Sequence, residues 1–221
     1  MAATVSALAS NAPRLWIGFL RGGHLPQIDQ DIEFVLEVDK LKNVARKTRN
    51  VSNERYENDA EHSWHVCIMA IALQKYSNRN IDILKVLQML LVHDLGEIYC
   101  GDTIVYSRDN EDKQKELESA TKLFSMLGPI RQAELANLIQ EFEERKTDEA
   151  KYANAIDRME PILQNICNGG ETWKKHKITY ERIMEVNRSI VSEGSDELWN
   201  FLFTRIDLMK KDGLFQDSGG I

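Results

Sequence analysis

Three features of the chain predict an all-α fold. Apolar residues recur at helical spacing through most of the sequence after residue 28, helix caps and stops punctuate it, and no alternating run is long enough for a useful strand. Residues 31–46 place Ile32, Val35, Leu36, Val38 and Leu41 at helical spacing. Asn58, three positions before Glu61, makes a capping-box pattern and opens the helix that carries His62. Residues 81–93 are apolar nearly all round, from Ile81 and Ile83 to Leu91 and Val92, which predicts a buried helix. A polar run from Asp109 to Lys115 leads into a helix ending near Leu127, where Gly128-Pro129 breaks it. Pro129 suits the first turn of the next helix, which ends near Lys146. Thr147 caps the one after, with Asp148 and Glu149 in its favourable first turn, and Asn168-Gly169-Gly170 stops it. Two more helices follow, about 179–191 and 196–211, the second capped by Ser195.

The 221 residues suit a single domain, taken as 29–212, with an N-terminal extension at 1–28 and a C-terminal tail at 213–221. No stretch of about 18 apolar residues occurs, so no transmembrane helix is expected. The 28 basic and 35 acidic residues leave a net charge of −7, which disfavours a nucleic-acid polymer as partner. A single small phosphate ester remains open as a ligand, because local charge then matters more. Cys67, Cys100 and Cys167 have no CxxC spacing and fit a reducing compartment, so a cytoplasmic location is expected. Residues 1–28 carry Arg14 and Arg21 but no acid. Asn11, Pro13 and Arg14 interrupt any secretory core; a loose extension is favoured over an organelle transit peptide, with Trp16, Phe19 and Leu20 available to dock on the body.

Four polar residues stand out against this background: His62, the adjacent His93-Asp94, and Asp157, each in or at the end of a segment that reads as a buried helix. A buried carboxylate needs a cation, a metal or a proton. Two imidazoles and two carboxylates make a mixed nitrogen–oxygen donor set whose two negative charges balance one divalent ion. In six-coordination that set leaves two open positions, as a metal hydrolase requires. Asp94 falls at a helix C-terminus, whose partial negative charge disfavours it further, and Gly96 and Glu97 turn the chain and return a carboxylate. Pro161, four residues after Asp157, is expected to kink that helix. Set against this, Asp157 could be an ordinary ion-pair partner of Arg158, and a lone histidine such as His62 is more often structural than a ligand. His65 reads as packing or support for the ligands.

The order and local sequence resemble the HD-domain metal-dependent phosphohydrolases, in the branch of bacterial 5′-deoxynucleotidases and their eukaryotic HD-domain-containing relatives. The matching stretches are Glu57-Asn58-Asp59-Ala60-Glu61-His62-Ser63-Trp64, His93-Asp94-Leu95-Gly96-Glu97-Ile98-Tyr99, Gly101-Asp102-Thr103 and Ala155-Ile156-Asp157-Arg158, within about 31–205. The resemblance implies a single-domain helical fold with a mononuclear metal site held by His62, His93, Asp94 and Asp157. It implies catalytic roles for Glu97 and Asp102, and substrate contacts from Arg46, Arg49, Arg55 and Thr103. The Arg-Trp pair that the deoxynucleotidases carry ahead of the first histidine is absent here. The resemblance leans toward Co²⁺, Mn²⁺ or Mg²⁺, and the donor types also admit Fe or Zn. The implied reaction is hydrolysis of a phosphate monoester, a (deoxy)nucleoside 5′-monophosphate first. The alternatives are another phosphorylated metabolite, or a metal-binding scaffold without turnover. A di-iron oxygenase would need histidines between His93 and Asp157, and none occurs; a guanosine-tetraphosphate hydrolase would carry an acid where Ile98 stands; a cyclic-dinucleotide phosphodiesterase would carry a Gly-Tyr-Pro element. A homodimer is compatible with the family. Trp173-Lys174-Lys175-His176 reads as a basic turn or a substrate wall, and Tyr99 and Tyr106 as base-stacking or loop-packing groups.

Overall fold

A computed structural model of the protein describes residues 27–107 and 109–215. Ten α-helices and a two-stranded sheet are formed among these residues. Helix α1 (Gln27–Val38) passes into a 3-10 turn at Asp39–Asn43 and then into strand β1 (Ala45–Arg49), paired antiparallel with β2 (Tyr56–Asn58). The helix expected over 31–46 therefore ends early. Its last residues join a hairpin whose turn is closed by Asn50: its side chain accepts from the Glu54 backbone, and its carbonyl from Asn53, which sits at φ +62°. Strand alternation turns Arg46 and Thr48 toward the body and leaves Lys47 exposed.

The remaining helices are α2 (Asp59–Leu73), α3 (Ile83–Val92), α4 (Glu97–Cys100), α5 (Asn110–Phe124), α6 (Pro129–Glu144), α7 (Asp148–Cys167), α8 (Glu171–Lys175), α9 (Tyr180–Gly194) and α10 (Asp196–Lys211). The expected caps form. Asn58 and Glu61 make a reciprocal capping box, Pro129 is the first residue of α6, and Thr147 and Ser195 accept from backbone N–H groups of α7 and α10. Helix α7 is the axis of the bundle, in contact with α2, α3, α6, α9 and α10. It runs through Pro161, whose carbonyl accepts from Asn165 Nδ2.

Helix α3 is less enclosed than its composition suggests. Val86, Met89 and Leu90 are fully buried, while Leu84 and Leu91 are more than half exposed. The segment at Trp173 is not an exposed turn: it is the short helix α8, with Trp173 buried and Lys174 and Lys175 outside. Leu214 and Phe215, at the start of the tail, pack on the main core, Phe215 against the rings of Trp173 and Tyr180. The extension at 1–28 lies outside the described residues except for its last two positions. Two apolar clusters fill the interior. Leu90 belongs to the larger and Leu95 to the smaller, so the chain crosses from one to the other at His93-Asp94.

Candidate active site

Three helices bring the four donors together. The capping box starts α2 so that His62 falls in its first turn, α3 ends at Val92 and delivers His93-Asp94, and α7 presents Asp157. His62 Nε2 is 3.0 Å from Asp157 Oδ1 and 3.8 Å from Asp94 Oδ2. His93 Nε2 is 3.2 Å from Asp94 Oδ2 and 3.4 Å from Asp157 Oδ1. After α3 the chain passes through tight turns into α4, which places Glu97 beside the same cluster. Gly96 is needed there for clearance, not for a special backbone angle. Its φ is −62°, but a Cβ would lie 2.4 Å from the Glu116 carbonyl oxygen of α5. Gly101 does use the left-handed region, at φ +78°, to launch the loop carrying Asp102 and Thr103.

The donor set fits a divalent cation. Ligand atoms held at about 2.0–2.2 Å from one ion lie roughly 3–3.5 Å apart, close to the spacing of these four groups. His93 Nδ1 lies 2.8 Å from the Leu90 carbonyl, which fixes the N–H there. Its Nε2 is then directed at the cluster, buried and without a hydrogen bond. Behind His62, the fully buried Glu160 lies 3.3 Å from Nδ1 and also 3.0 Å from His65 Nδ1, and Gln164 donates to it. A buried carboxylate so placed would orient and polarise the imidazole of His62 if it held a metal. Glu160→Gln is expected to weaken metal binding by about 10–100-fold, measured by calorimetric titration of metal-stripped protein. An unchanged affinity would rule out that support.

Charge is concentrated here. Burial works against ionised Asp94 and Asp157, but the neighbouring imidazoles, with Arg46 at Asp94, hold both carboxyls well below the usual range. Glu160 is held down to about 2: burial opposes its charge and the hydrogen bonds with His62 and His65 outweigh it. For His62, burial and Arg46 oppose protonation, yet Asp157 and Glu160 raise it to about 9. The opposite holds for three other carboxyls. Burial and then Glu160 raise Glu57 to about 7; burial and Asp94 raise Asp59 to about 6; burial, Asp94 and Asp59 push Glu97 far above its ordinary value.

Of the three arginines singled out in the sequence, only Arg46 faces this cluster. Its Nη1 lies 3.1 Å from Asp94 Oδ2 and 3.3 Å from Asp59 Oδ1. Arg49 instead stacks on Tyr56 and donates to the Asn53 carbonyl, and Arg55 forms a two-pronged pair with Glu61 at 2.7 and 2.8 Å. Hairpin geometry explains both placements. Arg46, Asp94, Glu97, Asp102, Thr103, Asp157 and Arg158 line one cleft, and Asp102 Oδ2 accepts from the Lys47 backbone at 2.9 Å. Tyr106 also lines this cleft and is tied into the body: its hydroxyl accepts from Trp173 Nε1, and Arg182 donates twice to its carbonyl. Glu160, Glu57, Asp59 and Arg158 escaped the sequence reading as site residues. Glu160 had one available signal, its place three residues after Asp157 on the same helix.

The fold and the relatives of this chain are those of a metal-dependent phosphohydrolase, which supports a divalent ion as its cofactor. The chain belongs to the HD domain family, whose model matches residues 38–199. It is 30% identical to 5′-deoxynucleotidase HDDC2 of Dictyostelium discoideum over 141 residues, covering 60% of this chain and 74% of that protein. The human protein of the same name is 33% identical over 141 residues, 60% of this chain and 65% of the relative. Among solved structures, a predicted metal-dependent phosphohydrolase from Magnetospirillum magnetotacticum MS-1 superposes with a TM-score of 0.79 at 36% identity, covering 85% of this chain and 97% of that one. The HD domain-containing protein YGK1 shares the fold at 14% identity and a TM-score of 0.54.

Proposed function

We propose that the protein hydrolyses nucleoside 5′-monophosphates to nucleoside and phosphate, with His62, His93, Asp94 and Asp157 holding the metal. The observation that carries this reading is the convergence of those four donors, with Asp94 and Asp157 opening onto a cleft also lined by Arg46, Glu97 and Asp102. A divalent ion held by these residues would supply Lewis acidity, lowering the pKa of water and polarising a phosphoryl group. Co²⁺, Mn²⁺ or Mg²⁺ is favoured, and the donor types also accept Fe or Zn.

In this reading Arg46 neutralises phosphoryl charge from the opposite side of Asp94, a task that suits a rigid guanidinium. Glu97, protonated, gives its proton to the leaving alkoxide as the P–O bond breaks; in its ionised form it takes one from the attacking water. Asp102 and Thr103, on the loop after α4, position the sugar end of the ester. The cleft has a volume of about 70 Å³. At roughly 10–15 Å³ per water, that is room for about five small atoms, which suits a phosphoryl group with the nucleoside toward the mouth. Exposed Trp64, Ile68 and Ile71 on α2 support a homodimer as part of the proposal. The free cysteines support a cytoplasmic setting, and no helix of the described residues is long and apolar enough to cross a membrane.

The test is phosphate release from a panel of ribo- and deoxyribonucleoside 5′- and 3′-monophosphates, using metal-stripped protein with single metals added back. Metal-dependent release from the 5′ esters only is expected. Stoichiometric metal binding with no nucleotide cleaved would instead favour another phosphate ester or a scaffold.

A further inference from the structure

A groove of about 820 Å³ runs between α1, α3 and α6 and shares no lining residue with the cleft. Its apolar lining includes Phe34, Val35, Leu91, Leu127, Leu135 and Leu138. Helix α1 forms one wall, yet none of its residues is buried. Ile28, Ile32, Val35 and Leu36 make a stripe along it at 40–69% exposure. An apolar stripe beside an apolar groove is the kind of uncovered surface that marks a docking site.

We propose that segment 15–20 of this same chain, Leu-Trp-Ile-Gly-Phe-Leu, occupies the groove and covers α1. Reach is the first argument. The described chain begins at Gln27, and Gln27 Oε1 lies 3.5 Å from where a Cβ on Gly128 would stand, so the entry point is beside Leu127, one of the lining residues. Residues 21–26 link the segment to Gln27. Six residues span up to about 20 Å extended, while the stretch of α6 from Pro129 to Leu138 is only about 14 Å long at 1.5 Å per residue. Gly22-Gly23 in the link permits the chain to reverse onto the groove.

Charge is the second argument. Arg14 and Arg21 flank the segment, and residues 1–26 contain no acid. The groove is lined by Asp31, Glu134 and Glu141 against Arg131. Arg131 pairs with Glu134 at 2.5 Å and Lys85 with Glu141 at 2.6 Å. Asp31, a lining acid one turn from the entry point, accepts from Gln27 and would receive Arg21. A second copy of the chain that seated this same face would bring the same acidic rim against it. Leu91 and Val92 line the groove immediately before His93, so the docked segment would brace the helix that delivers His93-Asp94.

Hydrogen exchange on the full chain tests this against a Trp16→Ala/Phe19→Ala double variant, whose changes lie outside the helical body. Amides of 15–20 are expected to exchange at least about tenfold more slowly than free chain. In the variant, stretches 88–92 and 127–138 should exchange faster, and the melting temperature should fall by about 2–4 °C. Unprotected amides at 15–20, with identical groove exchange in both proteins, would overturn the proposal. So would groove protection that disappears on dilution, since a second copy would then be the occupant.

Discussion

Asp94→Asn is expected to abolish both metal retention and phosphate release. The substitution keeps the side chain's volume and removes one negative charge from the most contested position in the molecule. Asp94 Oδ2 lies 3.1 Å from Arg46 Nη1, 3.2 Å from His93 Nε2 and 3.8 Å from His62 Nε2. The carboxylate is thus both a metal donor and the counter-charge for a buried guanidinium. With an amide there, the donor set keeps one anionic oxygen ligand, from Asp157, and no longer balances a divalent ion. Phosphate release should fall by at least about 10³-fold, some 4 kcal/mol of lost transition-state stabilisation. Metal content after gel filtration should fall from one ion per chain to background. Arg46 retains Asp59 and Glu57 as partners, so the helical circular dichroism should survive. A variant that still carries metal and turns over at more than a tenth of the parent rate would remove Asp94 from the site.

Why were these four donors visible in the sequence while their surroundings were not? His62, His93, Asp94 and Asp157 are polar residues set in helical runs, and the cost of burying them made each conspicuous. Caps such as Asn58-Glu61 and Thr147 are local devices, so adjacent residues sufficed to read them. The hairpin had no such signature. Ala-Arg-Lys-Thr-Arg shows no alternation, and its pairing depends on a turn closed by Asn50. With the hairpin hidden, three arginines looked equivalent. Strand geometry separates them, turning Arg46 inward while Arg49 stacks on Tyr56 and Arg55 pairs with Glu61. Glu160 supports His62 across 98 positions of sequence, a relation that exists only once α2 lies on α7. Gly96 lies in the turn its sequence position suggests, and only the structure adds that its missing Cβ lets α5 approach.

Glu97→Gln should separate the chemistry from the scaffold. Glu97 opens α4 with its carboxyl buried, and oxygens of Asp59, Asp94 and Glu97 lie within 4.8 Å of one another. At that spacing burial, Asp94 and Asp59 together favour the protonated form of Glu97. Glutamine supplies an N–H donor toward Asp59 in place of that proton. It also removes a titratable group that burial disfavours, so the melting temperature should stay level or rise. Metal content should persist, because the four donors are intact. Phosphate release should nevertheless fall by about 10²–10⁴-fold, since an amide can neither take a proton from water nor give one to an alkoxide. Loss of metal together with activity would make Glu97 a ligand. Near-parental activity would reduce it to a neighbour of Asp59. A level or raised melting temperature with lost turnover would show that the chain keeps an ill-placed acid because the reaction needs its proton, as expected where stability and activity pull apart.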